Sequence, residues 1–229
     1  MSNRATRPTA AIALGSLLAA LWAVLGVSAQ DASGIAATQL GKTAGTPKPL
    51  CPDDCQAVGT VTGFQVSAGG EERPFKVPAD GHLVAWAVDL AELEPSQIES
   101  FNSNERFRGE SEARLSVLKA KRGSRYKLTK QSPSVDLVES FGSQPIFTLK
   151  KPLKVKAGQR VAITLPTWAP LYVNGIDNDN QWIASRGPDE CDDTEILDAR
   201  PQDKKGSIRS YGCRFPGERL LYWAYFLPS

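Results

Sequence analysis

The fold is indicated most strongly by the stretch GHLVAWAVDL at residues 81–90, where apolar and aromatic residues follow the turn signal Asp80-Gly81. On either side of it, short apolar runs of the same kind alternate with polar turns rich in Gly and Pro. They predict further strands at residues 61–66, 115–118, 126–128, 146–149, 153–155, 161–165 and 220–227. Only residues 95–102 are typical of a helix, which Pro95 opens at a first-turn position. The pattern predicts an all-β fold, an antiparallel two-sheet β-sandwich of the jelly-roll type with one short helix.

The first 29 residues have the composition of an export signal. Arg4 and Arg7 precede an almost wholly apolar run at residues 10–27, and the small residue Ala29 stands where a signal peptidase would cleave. We therefore expect a signal peptide at residues 1–29 and a mature chain that is extracellular or secreted. If the segment is not cleaved, it is long enough to span a bilayer, and the protein would be membrane-anchored and face outside.

Residues 30–50 mix Ala, Gly, Thr and Pro without periodicity, which predicts a flexible linker before a single domain at residues 51–229. All four cysteines lie in that domain, and exported thiols usually oxidise. We expect the disulfides Cys51–Cys55, across a Pro-Asp-Asp turn, and Cys191–Cys213. Sequence alone leaves the other pairings open, and also a four-thiolate zinc site, although the spacing fits no compact zinc knuckle.

The charge balance argues against several classes of function. Apart from Arg4 and Arg7, the 25 acidic residues are matched by an equal number of basic ones. Binding to nucleic acid depends on surplus positive charge, so no nucleic-acid partner is expected. His82 is the only histidine and directly follows a turn glycine, which argues against His-based triads and His-rich metal sites.

Several motifs resemble those of known exported proteins. The run FKVPADG at residues 75–81 looks like the opening of bacterial extracellular jelly-roll modules, and LKVKAGQRVAI at residues 153–163 is similar to a strand pair in those modules. PTWAP at 166–170, WIASR at 182–186, YGC at 211–213 and RLLY at 219–222 resemble a family of uncharacterised exported proteins from high-GC Gram-positive bacteria. The resemblance runs from about residue 51 to the C-terminus. It implies a β-sandwich and export, and it brings no established activity.

The best candidates for ligand binding are aromatic. Trp168, Tyr172 and Trp182 fall in a segment rich in Pro and Asn, where we expect side chains on the rim of the sandwich. A flat ring beside an amide such as that of Asn180 would give a sugar a stacking surface and hydrogen-bond partners. The alternative is that Trp168 and Trp182 close the end of the core.

The loop GIDNDNQ at residues 175–181 concentrates oxygen ligands, so calcium is the one cofactor that we consider, with Asp177 and Asp179 as ligands. The EF-hand pattern fails here, and an ordinary turn is the simpler interpretation.

These observations favour a non-catalytic extracellular binding or surface-interaction module, with a cell-wall or extracellular glycan as the preferred ligand class. No catalytic residue is named. A carboxylate-based glycan-cleaving enzyme is the alternative and needs two Asp or Glu facing each other across a cleft. A structural envelope protein that only contacts other proteins would instead expose an apolar patch.

Overall fold

The computed structural model describes residues 37–49, 57–107, 109–191 and 200–229, which all belong to one compact unit. Its elements are β1 (Thr38–Leu40), β2 (Val58–Ala68), β3 (Glu71–Glu72), β4 (Gly81–Val88), α1 (Pro95–Ser103), β5 (Glu112–Ala120), β6 (Arg125–Gln131), β7 (Val135–Asp136), a 3-10 turn (Val138–Ser140), β8 (Ile146–Val155), β9 (Arg160–Ala169), β10 (Tyr172–Val173), β11 (Gln181–Ala184), β12 (Ile208–Ser210), β13 (Cys213–Pro216), β14 (Arg219–Leu220) and β15 (Tyr222–Pro228). No helix in these ranges is long and apolar enough to cross a membrane.

Strand β4 lies inside a four-stranded antiparallel sheet with the order β1-β15-β4-β8. Trp86 in β4 stands opposite Ala224 of β15 and Phe147 of β8. Gly81 begins the strand where no side chain fits, because a Cβ there would lie 2.2 Å from the carbonyl oxygen of Leu227. The glycine that marks the turn in the sequence is therefore also required by the pairing of β4 with β15.

The second sheet is larger and curled, with the order β12-β6-β5-β9-β2-β11-β13. Short strands β3 and β7 pair with β2 and β5, and β10 pairs with β14 in a separate two-stranded ribbon. Along β9, Val161 and Ile163 belong to the main core, whereas Ala162 between them belongs to a second cluster. Since neighbouring residues of a strand point to opposite faces, the curled sheet is covered by apolar side chains on both faces.

The main core lies between the two sheets and contains side chains from both. The second cluster covers the outer face of the curled sheet; its buried members are Phe64, Leu118, Leu128, Ala162, Ile183 and Tyr211. A third cluster, built on Leu93, Phe107 and Trp168, packs against α1. The predicted all-β, antiparallel two-sheet sandwich with one short helix is confirmed.

The strands predicted at residues 146–149 and 153–155 are one strand, β8. Leu153 pairs with Leu83 and Thr148 with Ala85, so residues 149–152 bulge opposite Val84 alone. Lys150, Lys151 and Pro152, which separate the two predicted strands, lie in this bulge. Bulges accept a proline and an unpaired residue without ending the strand.

Residues 37–49 pack against the domain, whereas the sequence predicted that they belong to a flexible linker. β1 pairs with β15, Leu40 is in the main core, and Lys42 Nζ lies 4.1 Å from the centre of the Trp223 ring. Arg219 Nη2 donates to the carbonyl oxygen of Gly41 at 3.3 Å, and burial lowers the pKa of that guanidinium. A three-residue strand is too short to show alternation, which is why composition alone indicated a linker. The proposed signal or anchor segment and the rest of residues 30–50 lie outside the described residues.

Candidate functional site

Trp168 is enclosed in the third cluster, under α1, and does not stand on the rim. Its side chain has no exposed surface, and its Nε1 donates to Asn102 Oδ1 at 3.1 Å and to the carbonyl oxygen of Gly109 at 2.9 Å. Its ring packs against Phe101, with the ring centres 4.7 Å apart. The predicted rim position is wrong for this residue, because β9 continues past Pro166 and carries Trp168 under α1.

Trp182 is also enclosed, with 4% of its surface exposed. It stacks on Phe215 at 4.4 Å between ring centres, and its Nε1 donates to Glu218 Oε2 at 2.9 Å. Tyr172 is half-buried on β10. Neither tryptophan ring has a free face, so the structure does not form the predicted stacking surface for a sugar. Both side chains are enclosed, as the alternative interpretation expected.

Asn180 closes the turn that the sequence singles out. Its Oδ1 accepts from the backbone N–H of Gly69 at 3.0 Å, and its Nδ2 donates to Asp179 Oδ1 at 2.7 Å. The side chains of Asp177 and Asp179 are exposed. Among the described residues, no group of three or more His, Cys, Asp or Glu side chains is placed to hold a metal ion. The geometry of Asn180 is that of a turn-stabilising residue, and calcium binding stays a prediction.

The disulfide Cys191–Cys213 is present, with 5.2 Å between the Cα atoms. It ties Cys191, seven residues after the end of β11, to the first residue of β13. The predicted partner bridge Cys51–Cys55 lies outside the described residues.

A groove of about 660 Å³ lies beside β8, the last strand of the four-stranded sheet. Its opposite wall is the connection between β6 and β7 of the curled sheet. We call it the β8 groove; the residues that line it are Trp86, Gln131, Ser132, Pro133, Val135, Phe147, Thr148, Leu149, Lys150, Lys151 and Leu153. Its volume is within the range of about 300–1,000 Å³ that small-molecule sites occupy.

The floor of the β8 groove is apolar. The Phe147 ring packs 4.7 Å from that of Trp86, and Phe147, Leu149 and Leu153 are half-buried against the main core. Val135 completes this surface from the opposite wall. Half-buried apolar side chains that share one concave surface are what a ligand with an apolar body requires.

The rim of the groove is polar and positively charged. Lys150 and Lys151 are exposed on the bulge of β8, and no carboxylate is among the described residues of the lining. Gln131 Nε2 donates to Ser116 Oγ at 3.1 Å, which fixes the amide at the opposite wall. The arrangement can hold an apolar group on the floor and a polar or anionic group at the rim.

The chain matches no protein-family model, no curated protein and no solved structure. Membership of the exported Gram-positive family stays a prediction.

Arg186 and Tyr211, which belong to the motifs on which that resemblance is based, form hydrogen bonds inside the fold. Arg186 Nη2 donates to the carbonyl oxygen of Thr60 at 2.9 Å, and burial lowers the pKa of this guanidinium to about 10. Tyr211 is buried, and its hydroxyl donates to Gln202 Oε1 at 2.8 Å. These side chains hold the curled sheet to the segments that cover it.

The enzyme alternative requires two carboxylates at one cleft, and among the described residues Asp89 and Glu92 line the same cleft. This cleft has a volume of about 330 Å³, and Asp89 accepts a hydrogen bond from Gln144 Nε2 at 2.5 Å. His82 lies on β4, where it pairs with Leu227 and Lys154.

The residues of the β8 groove were not predicted from the sequence as a binding site. A signal was present in the alternation of Phe147 and Leu149 with polar residues, followed by two lysines. The opposite wall, however, comes from residues 131–135, and only the fold brings the two segments together.

Proposed function

We propose that this protein is an exported, non-catalytic binding module that holds a ligand with an apolar body in the β8 groove. The observation that carries the proposal is the concave apolar floor, formed by half-buried side chains of β8 against Trp86. Export is supported by the composition of residues 1–29 and by the Cys191–Cys213 disulfide, since disulfides persist mainly in oxidising compartments.

A glycan was the ligand class preferred from the sequence, and that preference depended on exposed tryptophans. Both tryptophans are enclosed, and the groove floor is aliphatic as well as aromatic. The groove therefore supports an apolar ligand better than a sugar. A cell-wall or extracellular glycan remains a partner to be included in the test.

The test is titration of the protein with the neutral fluorescent probe N-phenyl-1-naphthylamine. We expect saturable binding that Phe147→Ser and Leu149→Ser each weaken by roughly tenfold, because each removes a large part of the apolar floor. Ile146→Ser is the matched control: this neighbour on the same strand is 57% exposed and does not line the groove.

Two results would contradict the proposal. One is the absence of saturable binding, and the other is binding that all three serine variants change equally while their thermal midpoints show that they are folded. Pull-down of the protein on insoluble polysaccharides and purified cell walls, with Trp168→Phe and Trp182→Phe alongside, tests the glycan separately.

A further inference from the structure

A second cleft, of about 240 Å³, lies on the outer face of the curled sheet. Phe64 is buried in the second apolar cluster, and Tyr126 packs against it with the ring centres 5.2 Å apart. Both line the cleft, which therefore belongs to the face of the sheet turned away from the main core. The β8 groove packs against the main core, so the two sites are separate.

Three arginines line this cleft, and they come from three parts of the chain. Arg73 follows β3, Arg160 begins β9 and Arg214 lies on β13. The backbone N–H of Arg73 donates to the carbonyl oxygen of Val66 at 2.7 Å, which holds the turn after β3 against the end of β2. We call this site the arginine cleft.

The register of the curled sheet explains how these residues meet. Ile183 of β11 pairs with Phe64 on one side and with Arg214 on the other, so the three residues form one row across the sheet. The backbone of Arg160 forms an isolated antiparallel β-bridge with that of Lys76, which lies just after Arg73. Residues more than 140 positions apart in the chain thus converge on one small concave surface.

Positive charge exceeds negative charge in the described lining of the cleft. The single carboxylate in the lining is Glu72, and none of the three arginines forms an ion pair within the described part of the chain. Arg160 Nη1 donates to the carbonyl oxygen of Gly158 at 2.8 Å, and Arg214 Nη1 donates to Gln181 Oε1 at 3.3 Å. Each guanidinium has five N–H donors, so most donors remain available for a ligand.

The electrostatics of Arg160 agree with this geometry. Burial lowers the pKa of its guanidinium; of the nearby groups, Tyr126 raises this pKa and the charge of Arg73 lowers it. Three positive charges beside a single carboxylate leave a net repulsion among the arginines, and a bound anion would relieve that repulsion. Arginine side chains present a planar fork that matches the oxygens of carboxylate, phosphate and sulfate groups.

We propose that the arginine cleft binds the oxyanion group of a ligand: a carboxylate, a phosphate or a sulfate. Its volume is below the usual range of about 300–1,000 Å³ for a whole small-molecule site, so it accepts one anionic group and leaves the rest of the ligand outside. Arg73, Arg160 and Arg214 donate to the oxygens, and Tyr126 and Phe64 form the apolar side of the cleft.

The experiment is a set of three titrations followed by NMR of the 15N-labelled protein at constant ionic strength, with inorganic phosphate, inorganic sulfate and glucuronate. Sodium chloride holds the ionic strength and reports general salt effects. We expect saturable shifts at residues that line the cleft for at least one of the three anions. The anion that saturates at the lowest concentration identifies which oxyanion the site prefers.

Arg73→Gln and Arg214→Gln, both at exposed positions, should each weaken that binding by about tenfold, because each removes charged hydrogen-bond donors. Arg122→Gln is the matched control, since it makes the same charge change at an exposed position in the turn between β5 and β6. Arg214→Lys keeps the charge and removes the fork, and we expect it to weaken binding as well.

The proposal fails if none of the three anions gives saturable shifts. It also fails if Arg122→Gln weakens binding as much as the cleft variants do, because the effect would then follow net charge alone. Thermal midpoints equal to that of the unchanged protein establish that each variant is folded.

Discussion

At the scale of the residue, Tyr222 shows how the main core joins the two sheets. The side chain belongs to β15 of the four-stranded sheet, and its hydroxyl donates to the carbonyl oxygen of Val161 on β9 at 3.2 Å. The Phe75 ring stacks on it at 4.2 Å. Burial raises the pKa of this phenol well above its ordinary value, because the charged form would be removed from water.

Tyr222→Phe should lower the free energy of unfolding by about 1 kcal/mol at pH 7, since a buried carbonyl loses its donor. The pKa is raised in the folded state, so the contribution of Tyr222 is complete below the unfolded-state pKa of about 10 and declines as the pH rises above it. The difference between the two proteins in urea denaturation should therefore shrink between about pH 10 and about pH 11. A difference that stays constant over this range would show that the phenol is not enclosed.

Trp168 shows where reasoning from single residues fails. Pro166 indicates the end of a strand, and the predicted strand therefore stops at residue 165. In the structure, β9 passes through a bulge where Gly59 pairs with Trp168 and Val61 with Leu165. The proline lies in that bulge, where no ladder hydrogen bond is required of it. Whether a proline ends a strand or is absorbed in a bulge depends on the partner strand, which local sequence does not specify.

At the scale of the element, β1 makes part of the N-terminal segment belong to the folded domain. Leu40→Ala should lower the free energy of unfolding by about 2–5 kcal/mol, because it removes a buried side chain from the main core. Gln39→Ala, at the exposed neighbouring position, should change it by less than about 0.5 kcal/mol. Urea denaturation of both variants measures this. Equal and small effects would mean that residues 37–49 behave as a linker after all.

Most of the long strands were predictable from sequence, although β8 was predicted as two strands, and the short ones were not. β4 and β9 carry apolar runs, β2 and β5 carry apolar residues mixed with polar ones, and each was predicted within a few residues at one or both ends. β10, β12 and β14 have two or three residues each, and their pairing is imposed by the strands beside them. Strands of that length contain too little alternation to be distinguished from loops.

At the scale of the whole molecule, the Cys191–Cys213 bridge closes a loop between residues 22 positions apart. Replacing both cysteines by Ser should lower the free energy of unfolding by roughly 3 kcal/mol, because the unfolded chain regains the freedom that the bridge removes. Urea denaturation with and without dithiothreitol checks this. Dithiothreitol should destabilise the unchanged protein and have much less effect on the double variant. If dithiothreitol lowers the stability of both proteins equally, the stabilisation comes from another disulfide.

Both candidate sites are products of the whole fold. The β8 groove combines Trp86 with residues 131–135 and 147–153, and the arginine cleft combines Arg73 with Arg160 and Arg214. In the sequence these residues are separated by stretches with no functional pattern of their own. Sheet order and register bring them together, and neither can be read from composition or from the spacing of a motif.

The pairing of β1 with β15 also determines how the domain responds to force. Thr38 stands opposite Phe226, so the N-terminal end of β1 lies beside the end of the last strand. In an antiparallel pair the hydrogen bonds run perpendicular to the strands. Pulling the two chain ends apart therefore loads these bonds one after another, as in unzipping. β1 would peel away at low tension while the rest of the sandwich still holds.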